Sequence, residues 1–254
     1  MKKILSIVAC AVALALVGVA TLRSAEMGRT EGKAIVRAVQ GNVQVESAGA
    51  WVKLKANSEL APGTRIRTGP DSYTDLFVNS SSTVRITENT TLVIPEMFRV
   101  GSVREGDSET TLDLQDGTIL GQVKKLSANS VYHIKTPHGI AGIRGTDFQV
   151  TAVVQPNGSY LVTFTSVMGE LTVSAAVGPN GDIQVKVLRT GESWTPGQGD
   201  PFPTPPAIIN AARTIIQELP QGGTTTISIP TPPPQHPPFS TGGSPSGQPS
   251  SPSS

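Results

Sequence analysis

Between Lys33 and Trp194 the chain is written in short runs in which apolar and polar residues alternate, cut by turn-forming residues. Lys33–Val39 is apolar and closes on Gly41-Asn42. Val43-Gln44-Val45-Glu46, Trp51-Val52-Lys53-Leu54 and Thr64-Arg65-Ile66-Arg67-Thr68 alternate strictly. Such a period of two gives each strand one buried and one wet face. Asp75–Val78, Thr83–Thr87 and Thr91–Ile94 are further predicted strands, separated by turn-formers at Asn79–Ser82 and Glu88-Asn89. Glu96–Glu109 is polar and without a period, which predicts a loop. Thr111–Leu114 and Thr118–Val123 predict a hairpin across Asp116-Gly117, a pair that tolerates positive φ. Val131–Thr136 is another strand. Phe148–Val154 and Tyr160–Thr165 flank Pro156-Asn157-Gly158, and Leu171–Ser174 and Ile183–Leu188 flank Pro179-Asn180-Gly181-Asp182. No long helical period interrupts the series. The pattern predicts an all-β domain over residues 31–199, built of stacked β-hairpins that form a sandwich or a β-solenoid-like domain.

The two ends read differently. Thr204 looks like an N-cap with Pro205 at the first helical position, and Ile208, Ile209, Ala212, Ile215, Ile216 and Leu219 then share one face. Residues 204–219 therefore predict a short amphipathic helix, expected to pack on the β domain, with a partner-binding helix as the alternative. Residues 220–254 are rich in proline, serine, threonine and glycine and predict a disordered tail. Residues 1–25 start with Lys2-Lys3 and continue through the uncharged run Ile4–Leu22. This is a cleaved signal peptide or an uncleaved membrane anchor. Either reading places the remainder in the periplasm or secreted, and gives the chain membrane contact only through this segment.

Composition narrows the chemistry. Charged residues make up 15% of the chain and the formal net charge is +1, so no global field favours nucleic acid. Lys124-Lys125 is too small a basic patch to change that. Cys10 is the single cysteine and lies in the leader, which leaves no disulfide and no thiol nucleophile downstream. His133, His138 and His236 are the only histidines, and none stands in a metal-binding or catalytic spacing. Asp113, Asp116 and Glu109 fit no calcium loop. Neither a nucleophile elbow nor a phosphate loop is present. Trp51 and Trp194 are expected in the core or at a sheet edge rather than in a sugar platform. The expectation is a protein without catalytic residues, cofactor or metal.

One stretch stands apart, Thr136–Val150, TPHGIAGIRGTDFQV. Pro137 blocks ladder pairing and marks a corner. Gly139, Gly142 and Gly145 permit bends or close backbone approach. Arg144, flanked by apolar residues, is positioned by the pattern to staple turn carbonyls or to pair with Asp147; the alternative is a contact for a partner protein. The constellation Thr136, Pro137, Gly139, Ala141, Ile143, Arg144, Gly145, Thr146, Phe148 and Val150 resembles the hallmark of the FecR-like domain family. The flanks agree: Gly41, Val43, Trp51, Leu60, Gly63, Ile66 and Thr68-Gly69 upstream, then Gly169, Leu171, Val173, Leu188 and Gly191-Glu192 downstream. The resemblance covers about Ala34–Trp194. It implies an extracytoplasmic all-β domain whose relatives sense uptake receptors and control a sigma factor. This chain departs from that pattern, since only Met1-Lys2-Lys3 precede the apolar run, and is expected to lack a cytoplasmic anti-sigma segment. The implied function is binding of an envelope protein partner, in signalling or assembly; the alternative is a structural or adhesive surface module.

Overall fold

A computed structural model of the chain describes residues 28–100, 107–178 and 180–220. The leader, with Cys10, and the tail from Gln221 lie outside the described residues. The strands, β1 to β18 in chain order, form two layers. Layer A runs β4 (Ala50–Lys53), β3 (Val43–Ser47), β6 (Thr64–Thr68), β9 (Thr91–Val100), the first part of β10 (Asp107–Val123), β11 (Val131–Thr136), β12 (Gly139–Ile143), β15 (Leu171–Val177) and β16 (Asp182–Leu188). β1 (Arg29–Glu31) adds to the far end of β9. Layer B runs β5 (Glu59–Leu60), β2 (Ala34–Gln40), β7 (Tyr73–Val78), β8 (Ser82–Ile86), the second part of β10, β13 (Asp147–Val154), β14 (Tyr160–Met168), β17 (Glu192–Trp194) and β18 (Phe202–Pro203). Among the described residues only β10 pairs in both layers, so this is a folded-over sheet with free edges rather than a closed barrel.

Strand β10 explains the architecture and corrects the sequence reading. Asp116-Gly117 is not a hairpin turn. It is the bend at which one 17-residue strand leaves layer A and enters layer B. Gly117 sits at φ +95°, and a Cβ there would lie 2.5 Å from the Thr90 Cα, so no other residue fits the corner. The Thr90 hydroxyl accepts from the Thr118 N–H at 3.0 Å and fixes the bend. The polar run expected as a loop over 96–109 is strand at both ends; β9 extends to Val100 and β10 starts at Asp107. Beyond Val123 the chain returns to layer A, where β11 lies parallel to the start of β10. That up, over and back path is one coil of a solenoid inside a sandwich. It defines an upper rim, with Gly117 and the β11–β12 turn, and a lower rim, with Lys125 and the exit of β12.

The inward positions of both layers form one core, including Phe148, Phe164, Tyr132, Ile66, Leu112 and Trp194. Trp194 is fully buried and donates its indole N–H to the Gly199 carbonyl at 2.8 Å, as the default for a buried tryptophan requires. Helix α1 spans Pro206–Glu218 with Pro205 as N-cap and no side-chain cap. The helix starts one residue later than the sequence suggested, because the Thr204 hydroxyl is engaged with Ser193 at 2.6 Å instead of capping. Ala212, Ile216 and Leu219 pack on Leu120 of β10 and Val167 of β14, which covers part of the outer face of layer B.

Candidate functional site

The distinctive stretch folds as a hairpin, a crossover and a core strand, and the structure does not gather its residues at one point. β11 and β12 close with Thr136 opposite Gly139. The Thr136 hydroxyl donates to the Gly139 carbonyl at 2.9 Å. Pro137 and His138 form the exposed tip, where the lost N–H of proline costs no ladder bond. The His138 ring meets Tyr160 edge-on at 6.3 Å. A Cβ on Gly139 would stand 3.0 Å from both the Ala175 Cβ and the Ser174 carbonyl, so glycine here lets β12 approach β15.

Five residues of β12 carry the chain to the lower rim, about 17 Å at 3.3–3.4 Å per residue. There Arg144, Gly145 and Thr146 cross from layer A to layer B. Thr146 is buried and donates its hydroxyl to the Glu170 carbonyl at 2.7 Å; its own carbonyl accepts from the Val123 N–H at 3.0 Å. The staple expected of Arg144 is therefore supplied by Thr146. Arg144 itself is exposed; its carbonyl accepts from the Thr146 hydroxyl at 3.5 Å, and among the described residues its side chain makes no hydrogen bond and no ion pair. Asp147 does not pair with it. The Asp147 carboxylate is 7% exposed and accepts from the Gln122 amide at 3.0 Å. Burial pushes its carboxyl above the ordinary value, against the opposing pull of that hydrogen bond and of Arg213. Phe148 and Val150 then enter the core.

The upper part of the stretch does take part in a surface. Thr136, Pro137, Gly139 and Ile140 line a groove of about 480 Å³ on the outer face of layer A, with Ala176 and Ile183 opposite. The registers place a straight row across five strands: Asp113, Lys135, Ile140, Ser174, Val185. The neighbouring row is His133, Gly142, Thr172, Val187. Small residues in the middle strands keep this face flat. Its polar end is Asp113 beside Lys135. Burial raises the Asp113 carboxyl, and the Lys135 charge counteracts the rise. His133 is lowered, first by burial and then by Lys135, with Glu96 opposing. The apolar end is exposed: Ile140 is 40% accessible, Ile183 68%, Val185 60% and Val187 45%.

No cluster of metal-ligating side chains exists among the described residues, and no described helix is long and apolar enough to cross a membrane. Trp51 is half-exposed on β4 beneath two guanidinium groups, with Arg67 at 4.2 Å and Arg65 at 5.7 Å from its ring centre. The two cations are ring partners of a tryptophan on an edge strand, which is the sheet-edge placement the sequence suggested. One feature escaped the sequence reading. Asp75 and Arg85 pair across β7 and β8 through two bonds of 2.7 and 2.8 Å, with the Asp75 side chain 2% exposed. The signal was present, since the two positions are symmetric about the Asn79–Ser81 turn.

Residues 64–166 match the model of a family described as FecR protein. No curated protein matches the chain. Two crystal structures of a candidate anti-sigma factor from Parabacteroides distasonis are each 14% identical, with a TM-score of 0.40; the likeness covers 54% of this chain and 57% of theirs. The family match runs from β6 into β14 and contains the whole Thr136–Val150 stretch, so over this span the chain carries a FecR-like domain.

Proposed function

We propose that the chain is a non-enzymatic, FecR-like regulatory domain of the bacterial envelope that acts by binding a protein partner on the outer face of layer A. The observation that carries this reading is the flat face itself. The Thr136–Gly139 hairpin, the part of the family stretch that reaches the surface, lines a groove continuous with exposed Ile140, Ile183, Val185 and Val187. Contiguous exposed apolar surface rimmed by polar side chains is what protein interfaces use. The leader expected from Ile4–Leu22 puts this face outside the cytoplasm. The role is envelope signalling or assembly, in keeping with the regulatory character of FecR-like proteins. Affinity capture from solubilised envelopes tests it, with wild type beside Ile140→Asp. Ile140 is exposed, so the variant keeps its melting temperature. A stoichiometric membrane protein captured by wild type and lost with Ile140→Asp supports the proposal. Recovery with wall polysaccharide only, or capture untouched by Ile140→Asp, overturns it in favour of an adhesive module.

A further inference from the structure

Among the described residues layer A ends in β16, which pairs only with β15. Among the described residues no backbone hydrogen bond reaches its other side. Free edges of this kind are templates for another strand, and proteins usually shorten or charge them. Here β16 is seven residues long, and its outward residues Ile183, Val185 and Val187 are β-branched and exposed. The guard against pairing is Lys186, held by exposed Asp200 at 2.6 Å. The Lys186 side chain is 26% exposed but its partner Asp200 is 87% exposed, so solvent screens the pair and it contributes little; the lysine can exchange Asp200 for another carboxylate.

We propose that β16 pairs edge to edge with β16 of a second copy of this chain, antiparallel and centred on Gln184. In that register Asp182 of each copy stands opposite Lys186 of the other, and Ile183 stands opposite Val185, each twice by symmetry. Opposite charges and β-branched pairs directly across an antiparallel ladder both stabilise it. Centring the pairing one residue later, on Val185, would set Lys186 against Gln184 and leave both charges unmatched. The lysine that repels a general strand thus admits one with an acid two residues before the centre, as this strand has. The assembly is isologous, the commonest closed form. It makes the two outer faces one continuous sheet and, because Ile183 lines the groove, sets the two Thr136–Gly139 grooves beside the symmetry axis. The proposal goes beyond partner binding and does not need it, since it concerns the purified chain alone.

Cysteine cross-linking of the full chain tests it. In a Cys10→Ser background, Gln184→Cys places two thiols directly opposite across the axis, within reach of a disulfide. Mild oxidation should convert this variant to a covalent dimer on a non-reducing gel. Val52→Cys, exposed on the opposite edge strand β4, should cross-link at least about tenfold more slowly, the factor expected from about 1.4 kcal/mol of pairing free energy. Adding Lys186→Asp to Gln184→Cys should slow the reaction by a similar factor, and Asp182→Lys in the same chain should restore it. Melting curves confirm that the variants fold. Equal rates for Gln184→Cys and Val52→Cys overturn the proposal. So does indifference to Lys186→Asp, or failure of the charge swap to rescue.

Discussion

Arg85→Met would leave the Asp75 carboxylate buried with no cation beside it. The pair lies on the outer side of layer B, between strands that register Asp75 opposite Arg85. Side-chain exposure is 2% for Asp75 and 11% for Arg85, and the two bonds are 2.7 and 2.8 Å. This is the bidentate geometry in which arginine binds carboxylate best. The Arg85 guanidinium also lies 4.2 Å from the Tyr73 ring centre and 3.6 Å from Glu218 of α1. Removing one member of a buried pair costs about 3–5 kcal/mol, because the other charge is stranded. A domain of this size loses about 2–4 °C per kcal/mol, so the melting temperature should fall by roughly 6–20 °C. Removing both charges is a different perturbation. Asp75→Leu with Arg85→Met should be neutral, or more stable by up to about 4 kcal/mol. Glu218→Ala should cost under about 1 kcal/mol, since Glu218 is 61% exposed. Urea titration of wild type, Asp75→Leu, Arg85→Met and the double variant gives the cycle directly. A loss under about 1 kcal/mol for Arg85→Met refutes the reasoning, as does a double variant as unstable as the sum of the singles.

Phe148→Ala, at a fully buried core position, should cost about 3–5 kcal/mol by urea midpoint; a loss under about 1 kcal/mol would mean the site collapses around the missing ring. Burial holds the Asp147 carboxyl above its ordinary 3.8, so the folded chain binds that proton more tightly than the unfolded one, and stability falls as pH rises from the ordinary value through the raised one. Asp147→Asn should therefore flatten the melting-temperature profile above about pH 4, and an unchanged slope would contradict the assignment. Arg144→Ala should change stability by no more than about 0.5 kcal/mol, as for a surface residue without partners. A drop of several degrees in its melting curve would show a contact that the exposed side chain does not have.

Most strands were legible because their alternation is strong; β6 and β11 match the sequence reading residue for residue. The misreadings share a physical cause. Asp116-Gly117 has the local chemistry of a hairpin turn, but a hairpin needs its two arms to pair with each other. The arm before it is already held by β9 and β11, and the arm after it by β8 and β13, so non-local pairing overrides the turn propensity. Arg144 looks interior because its sequence neighbours are apolar. Ile143 belongs to layer A, however, and Arg144 sits past the end of that strand, where alternation no longer says which way a side chain points.

Strand β16 is the most instructive case. Its period of two is as clean as any in the chain, yet the apolar face Ile183, Val185, Val187 looks outward and only Leu188 is buried. Alternation reveals that two faces differ; it does not reveal which one the chain itself covers. For β12 and β15 the inward residues are Ala141, Ile143, Leu171, Val173 and Ala175, and the registers force the odd-numbered residues of β16 to the opposite side from these. The outer row is thus fixed by neighbours rather than by an error of folding. Three β-branched residues kept in water on a free edge are a standing cost against solubility, offset when a second molecule meets them. At β16 sequence pattern and chain topology disagree, and the exposed row left by that disagreement is the surface the proposed pairing would use.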